Sequence, residues 1–114
     1  MIEQLQKVEV FNHCTRELLV KISENLILKD ESPGTTILSH GDDSKNVYII
    51  FEGSAMIVQL AEDGKVVGLE LIKSGGCFGE MSAIDGSRRS ASVVSLGHVK
   101  LGVLNYTFFR NFVC

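Results

Sequence analysis

Apolar positions in the first thirty residues recur at helical spacing. Leu18, Leu19, Ile22 and Leu26 fall on one face of a helix, Thr15 stands where it can cap that helix, and Glu17 sits in its first turn, where a carboxylate favours the helix dipole. The single proline, Pro33 in SPG, closes this region. Beyond it the pattern changes to short β-branched runs punctuated by glycine. TTIL (35–38), NVYIIF (46–51), SAMIVQL (54–60), KVVGLELI (65–72), SASVVS (90–95) and VKLGVL (99–104) each read as a strand. Gly34, Gly41, Gly53, Gly64, Gly75 and Gly86 recur at roughly ten-residue intervals, the spacing of an all-β sandwich or barrel. Asp63-Gly64, between two of these runs, is the strongest hairpin signal in the chain. In the final stretch, NYTFFRNFVC, Asn105 or Thr107 is placed to cap a further helix.

The fold class expected from this pattern is mainly β: an antiparallel β-roll, or jelly-roll-like barrel, with short flanking helices at the N- and C-termini. One domain spans 1–114, divided into an N-terminal helical region (1–30), a roll (31–104) and the start of a C-terminal helix (105–114). Short strands with few charges need two sheets, each burying one face, and the roll they form has an interior in which a ligand fits.

Composition narrows the function. The chain has 114 residues, 45% hydrophobic and 22% charged, which is ordinary for one globular domain. A net charge of -3 gives no electrostatic footprint for direct nucleic-acid binding. Cys14, Cys77 and Cys114 lie far apart, without CxxC or Cys/His ligand spacing, so they read as free thiols and support neither a metal site nor a disulfide framework. The start, MIEQLQKVEVF, lacks the features of a secretory signal, and no window approaches the ~18 apolar residues of a membrane segment. A cytoplasmic location is expected.

Catalytic motifs are missing. His13, His40 and His98 are isolated, and no serine stands in Gly-x-Ser-x-Gly. Asp42-x-Ser44-x-Asn46 faintly resembles the start of a calcium loop, but Val47 and Gly53 occupy the positions that need glycine and glutamate, so a solvated turn is expected there. The chain is not expected to be an enzyme.

The stretch 75–93, GGCFGEMSAIDGSRRSASV, is different. Gly79 lets the backbone approach a ligand closely, and the free amides of a helical turn in EMSAID would attract an anion. An arginine after the turn supplies a permanent cation with a planar donor fork suited to phosphate oxygens. Glu80 would repel phosphate, so it needs another target: a hydroxyl donor such as a ribose 2′-OH. A cyclic phosphodiester carries one negative charge and leaves that hydroxyl free. Arg88 reads as a solvated charge.

FGEMSAIDGSRRSASV resembles the phosphate-binding cassette of the cyclic nucleotide-binding domain family, which includes the effector domains of catabolite-activator-type regulators, the regulatory subunits of cyclic AMP-dependent kinase and cyclic nucleotide-gated channels. GDDSKNVYIIFEGSAMIV resembles the family's Gly-Asp turn and following strand, and VEVFNHCTRELLVKISENL its N-terminal helical region. The resemblance runs from about Val8 to Leu104. It implies that Glu80 binds the ribose 2′-OH and Arg89 the cyclic phosphate. Gly79, Ser82 and Ser90 would offer backbone amides, Ala91 would complete the ligand contacts, and Met81 would lie near the sugar or base. Ile57 and Leu69 would line the base pocket. Gly76 stands where many members have an acidic residue, and Ser90 leaves base choice open. The implied ligand is cyclic AMP or cyclic GMP, without a metal. The implied function is a regulatory sensor within a signalling or transcription regulator, partnered by an effector domain on the same or another chain, or by a second copy. The alternative is a β-roll scaffold or dimerisation module that binds no nucleotide.

Overall fold

The computed structural model describes residues 1–42, 44–80, 89 and 91–113. Helix α1 (Ile2–Gln6), a 3-10 turn (Glu9–Phe11) and helix α2 (Arg16–Asn25) open the chain. Thr15 caps α2 as its position predicts, its hydroxyl accepting from the Leu18 N–H at 3.2 Å, and Leu19 and Ile22 are buried.

Eight strands follow among the described residues: β1 (Ile27–Glu31), β2 (Thr36–Leu38), β3 (Val47–Glu52), β4 (Ser54–Leu60), β5 (Val66–Lys73), β6 (Cys77–Phe78), β7 (Ser92–Ser95) and β8 (Val99–Leu104). They form two four-stranded sheets, ordered β1-β8-β3-β6 and β2-β7-β4-β5, and the paired strands are antiparallel. This is the expected roll. Asp63-Gly64 turns the β4–β5 hairpin, with Gly64 at φ +84°, a conformation glycine adopts without strain. Asn105 caps the terminal helical turn Tyr106–Phe108, accepting from the Thr107 and Phe108 amides, and the chain continues as a π-helix over Phe109–Val113.

Strand β1 corrects the expected boundary. The helical region ends at Asn25, and ILKDE joins the roll by pairing with β8 from Ile27↔Val103 to Glu31↔Val99. Three of its five residues are charged, so neither hydrophobic alternation nor β propensity marks it. The two-residue strand β6 is likewise invisible locally. It exists because Tyr48 and Ile49 of β3 pair with Phe78 and Cys77.

The core has two parts, joined through β3. Val47 and Ile49 point toward the helices and pack with Leu5, Phe11, Ile22, Leu104 and Phe109. Ile50, on the opposite face of the pleat, packs between the sheets with Leu38, Ala55, Ile72, Phe78, Val93 and Leu101. The β3 strand is thus covered on both sides. The Asp42 turn is closed by its own side chain, whose Oδ1 accepts from the Ser44 amide at 3.0 Å.

Candidate functional site

Arg89 is brought into the roll by its backbone. Its N–H donates to the Asp42 carbonyl at 2.9 Å, and its carbonyl accepts from the Gly41 N–H at 2.8 Å. The residue is only 4% exposed. Nη1 donates to the Gly79 carbonyl at 2.8 Å and Nη2 to the Asn46 carbonyl at 2.7 Å, while the buried Nε has no hydrogen-bond partner among the described residues. Both partners are neutral oxygens, and no carboxylate among the described residues forms a salt bridge with this guanidinium. Burial pulls the Arg89 pKa down, and Tyr48, Asp42 and Glu80 pull it back up. A buried cation with an unused donor is costly unless an anion compensates it.

Gly79 has φ +88°, and a Cβ there would fall 2.7 Å from Arg89 Nη1 and 2.8 Å from the Asn46 carbonyl. Glycine at 79 is therefore what allows the guanidinium to lie flat against the chain. Tyr48 and Phe78 stack beside this point, with ring centroids 5.2 Å apart and planes 4° from parallel. Burial raises the Tyr48 pKa, and Arg89 lowers it.

Glu80 is half-buried, and its Oε2 accepts from the Cys77 thiol at 4.0 Å. Burial, then Glu80 and Glu9, push the Cys77 pKa up to about 12, so the thiol stays protonated and can only donate to the carboxylate.

A cleft of about 900 Å³ opens over these groups, a size ordinary for a small-molecule site. Gly79, Glu80, Arg89, Ala91 and Ile57 all line it. Leu69 does not, which corrects its expected place in the pocket. The β4–β5 register slips where Ile57 faces Glu70 and Val58 faces Gly68, leaving Leu69 unmatched and 54% exposed. Met81, Ser82 and Ser90 lie outside the described residues. Sequence reasoning missed Leu38, Glu70, Phe78 and Val93 in the lining, and also Lys7, Glu9 and Val10 from the N-terminal segment. That segment reaches the cleft because the Glu9 N–H donates to the Gly75 carbonyl at 3.3 Å, a contact with no local sequence signal.

Residues 29–113 match the family model described as Cyclic nucleotide-binding domain. The chain belongs to the cyclic nucleotide-binding domain family. The family is one of ligand-binding regulatory domains. The cyclic nucleotide-gated cation channel of Ictalurus punctatus is 38% identical to this domain over 110 residues, covering 91% of this chain and 16% of that protein. Cyclic nucleotide-gated channel alpha-2 of Homo sapiens matches with the same identity and coverage. The regulatory domain of Toxoplasma gondii PKA, in a co-crystal structure with cAMP, superposes with a TM-score of 0.91 at 23% identity, covering 98% of this chain and 42% of that one, a likeness of fold. The domain thus spans less than a fifth of the length of the curated channels it matches. Among the described residues no helix is long and apolar enough to cross a membrane, and no three His, Cys, Asp or Glu side chains are grouped to hold a metal ion.

Proposed function

We propose that this domain binds a cyclic nucleotide reversibly, as a regulatory sensor and without catalysing a reaction. The observation that carries this is Arg89: a cation almost wholly buried, held by two neutral carbonyls, with Nε at the wall of a cleft and without a hydrogen-bond partner among the described residues. A cyclic phosphate supplies the missing negative charge and acceptor oxygens. Glu80, in the same cleft, accepts the ribose 2′-OH, and Gly79 lets the sugar-phosphate approach the backbone. The resemblance adds Ser82, Ser90 and Ala91 at the phosphate and Met81 at the sugar or base, with Ile57 against the base. Ligand occupancy then shifts the population of conformers that an effector reads, in a longer chain or in a cytoplasmic partner. The likeness to channels at 38% identity makes an ion channel one such effector.

The scaffold reading would require a site emptied of its ligand chemistry. A buried guanidinium with no carboxylate partner among the described residues, lining one cleft with Glu80, argues against it. Calorimetric titration of the folded chain with cyclic AMP and cyclic GMP tests the proposal. Saturable one-site binding supports it, and no binding up to millimolar ligand overturns it.

A further inference from the structure

Two opposite charges share the cleft without pairing. Glu80 and Arg89 both line it, yet no ion pair joins them. Arg89 is restrained by the Gly79 and Asn46 carbonyls. Glu80 has a restraint of its own. Gly79, at φ +88°, turns the chain after β6 so that Glu80 folds back over Cys77, three residues earlier. The Cys77 thiol donates to Oε2, and among the described residues it is the donor that reaches this carboxylate. Cys77 also packs against the helix-side core that includes Ile49. A thiol suits both neighbours, because it is a small apolar body that still carries a weak donor. Burial keeps that donor protonated.

We propose that Cys77 is a positioning residue of the nucleotide site, its thiol holding the Glu80 carboxylate toward the sugar and off Arg89. This rests on the binding reading above, in which Glu80 takes the ribose 2′-OH and Arg89 the cyclic phosphate. With Oε2 engaged by the thiol, Oε1 is left for the hydroxyl. A carboxylate released from Cys77 would be drawn to the buried guanidinium and would compete with the phosphate for it. The thiol therefore preserves both halves of the site: an acceptor for the sugar and an unneutralised cation for the phosphate. A sulfur donor at 4.0 Å is weaker than a charge-assisted N–H, so its removal weakens the site without abolishing it.

The test is calorimetric titration with cyclic AMP and 2′-deoxy cyclic AMP, in a double-mutant cycle of Cys77→Val and Glu80→Ala. Valine is a good strand former and removes the donor. Cys77→Val is expected to weaken cyclic AMP binding by about threefold to tenfold when Glu80 is present, and to cost little more in the Glu80→Ala background. Its preference for ribose over 2′-deoxyribose should fall, and Cys77→Ser, which keeps a donor, should recover part of it. A second measurement needs no change at Cys77. Infrared spectroscopy of the wild type is expected to show an S–H stretch lowered by hydrogen bonding, which moves back to the free position in Glu80→Ala. An equal effect of Cys77→Val in both backgrounds, or none, would reduce Cys77 to packing. An S–H stretch indifferent to Glu80 would show that the thiol does not reach the carboxylate. Either result overturns this inference and leaves nucleotide binding standing. A folded wild-type chain that binds neither nucleotide removes the binding reading and this inference with it.

Discussion

Arg89 Nη1 donates to the Gly79 carbonyl at 2.8 Å, and the Cβ that an L side chain would add at Gly79 falls 2.7 Å from that same nitrogen. The two residues are ten positions apart and are shaped around each other: the carbonyl orients the guanidinium, and the missing side chain leaves room for it. Gly79→Ala therefore strains the backbone at φ +88° and displaces the arginine together. The variant is expected to lose about 1–3 kcal/mol of stability and at least tenfold in cyclic nucleotide affinity, read by thermal denaturation and calorimetry. Wild-type values for both would show that Gly79 does not set the position of Arg89.

Arg89 bridges two carbonyls, on Gly79 and Asn46, that no single ammonium can span in the same way. Arg89→Lys keeps the charge and loses the fork. It is expected to bind nucleotide more weakly than the wild type by roughly tenfold to a hundredfold, corresponding to about 1.5–3 kcal/mol for charge-assisted contacts. Arg89→Ala should lose at least as much. A lysine variant that titrates like the parent would reduce the role of Arg89 to charge alone.

Glu80 is proposed to recognise a hydroxyl, so its effect must depend on that hydroxyl being present. Glu80→Gln is expected to weaken binding of cyclic AMP by about tenfold, and to change binding of 2′-deoxy cyclic AMP much less. Equal losses for the two ligands in parallel titrations would assign Glu80 to another contact.

The Cys77 thiol is raised from its ordinary 9.0 to about 12, chiefly by burial. Above pH 9 the unfolded chain releases this proton and the folded chain holds it, so deprotonation favours unfolding. The contribution is fully present below about pH 9 and is lost as pH rises toward 12. Cys77→Ser removes this titration. The gap in melting temperature between wild type and Cys77→Ser is expected to shift against the wild type between pH 8 and pH 11. A gap that stays constant over that range would mean the thiol is not buried as described.

Thr15 accepts from the Leu18 amide at the start of α2, the helix that places Leu19 and Ile22 in the core beneath β3. Thr15→Ala is expected to cost about 1 kcal/mol and Thr15→Ser little, in chemical denaturation. Equal stability of the alanine variant would show that the cap is replaced by water.

Local chemistry determined much of this protein. The cap at Thr15, the helical face of Leu19 and Ile22, the Asp63-Gly64 hairpin and the alternation along β3 follow from propensity, periodicity and turn geometry, which act over a few residues. The cassette was legible for the same reason, because Gly79, Glu80 and Arg89 lie within eleven residues of one another. Tertiary structure alone decided the rest. ILKDE became a strand because β8 offered it an edge, and Cys77–Phe78 because β3 did. The slip between Ile57 and Val58 turned Leu69 outward and left Glu70 facing the cleft, although period-two alternation does not foresee where a bulge falls. The N-terminal segment met Gly75 through a backbone hydrogen bond that any residue can make, and the Arg89 guanidinium met, across 43 residues, a carbonyl that any residue at position 46 would present. Side-chain identity carries no signal for such contacts, so they are settled only when the sheets close.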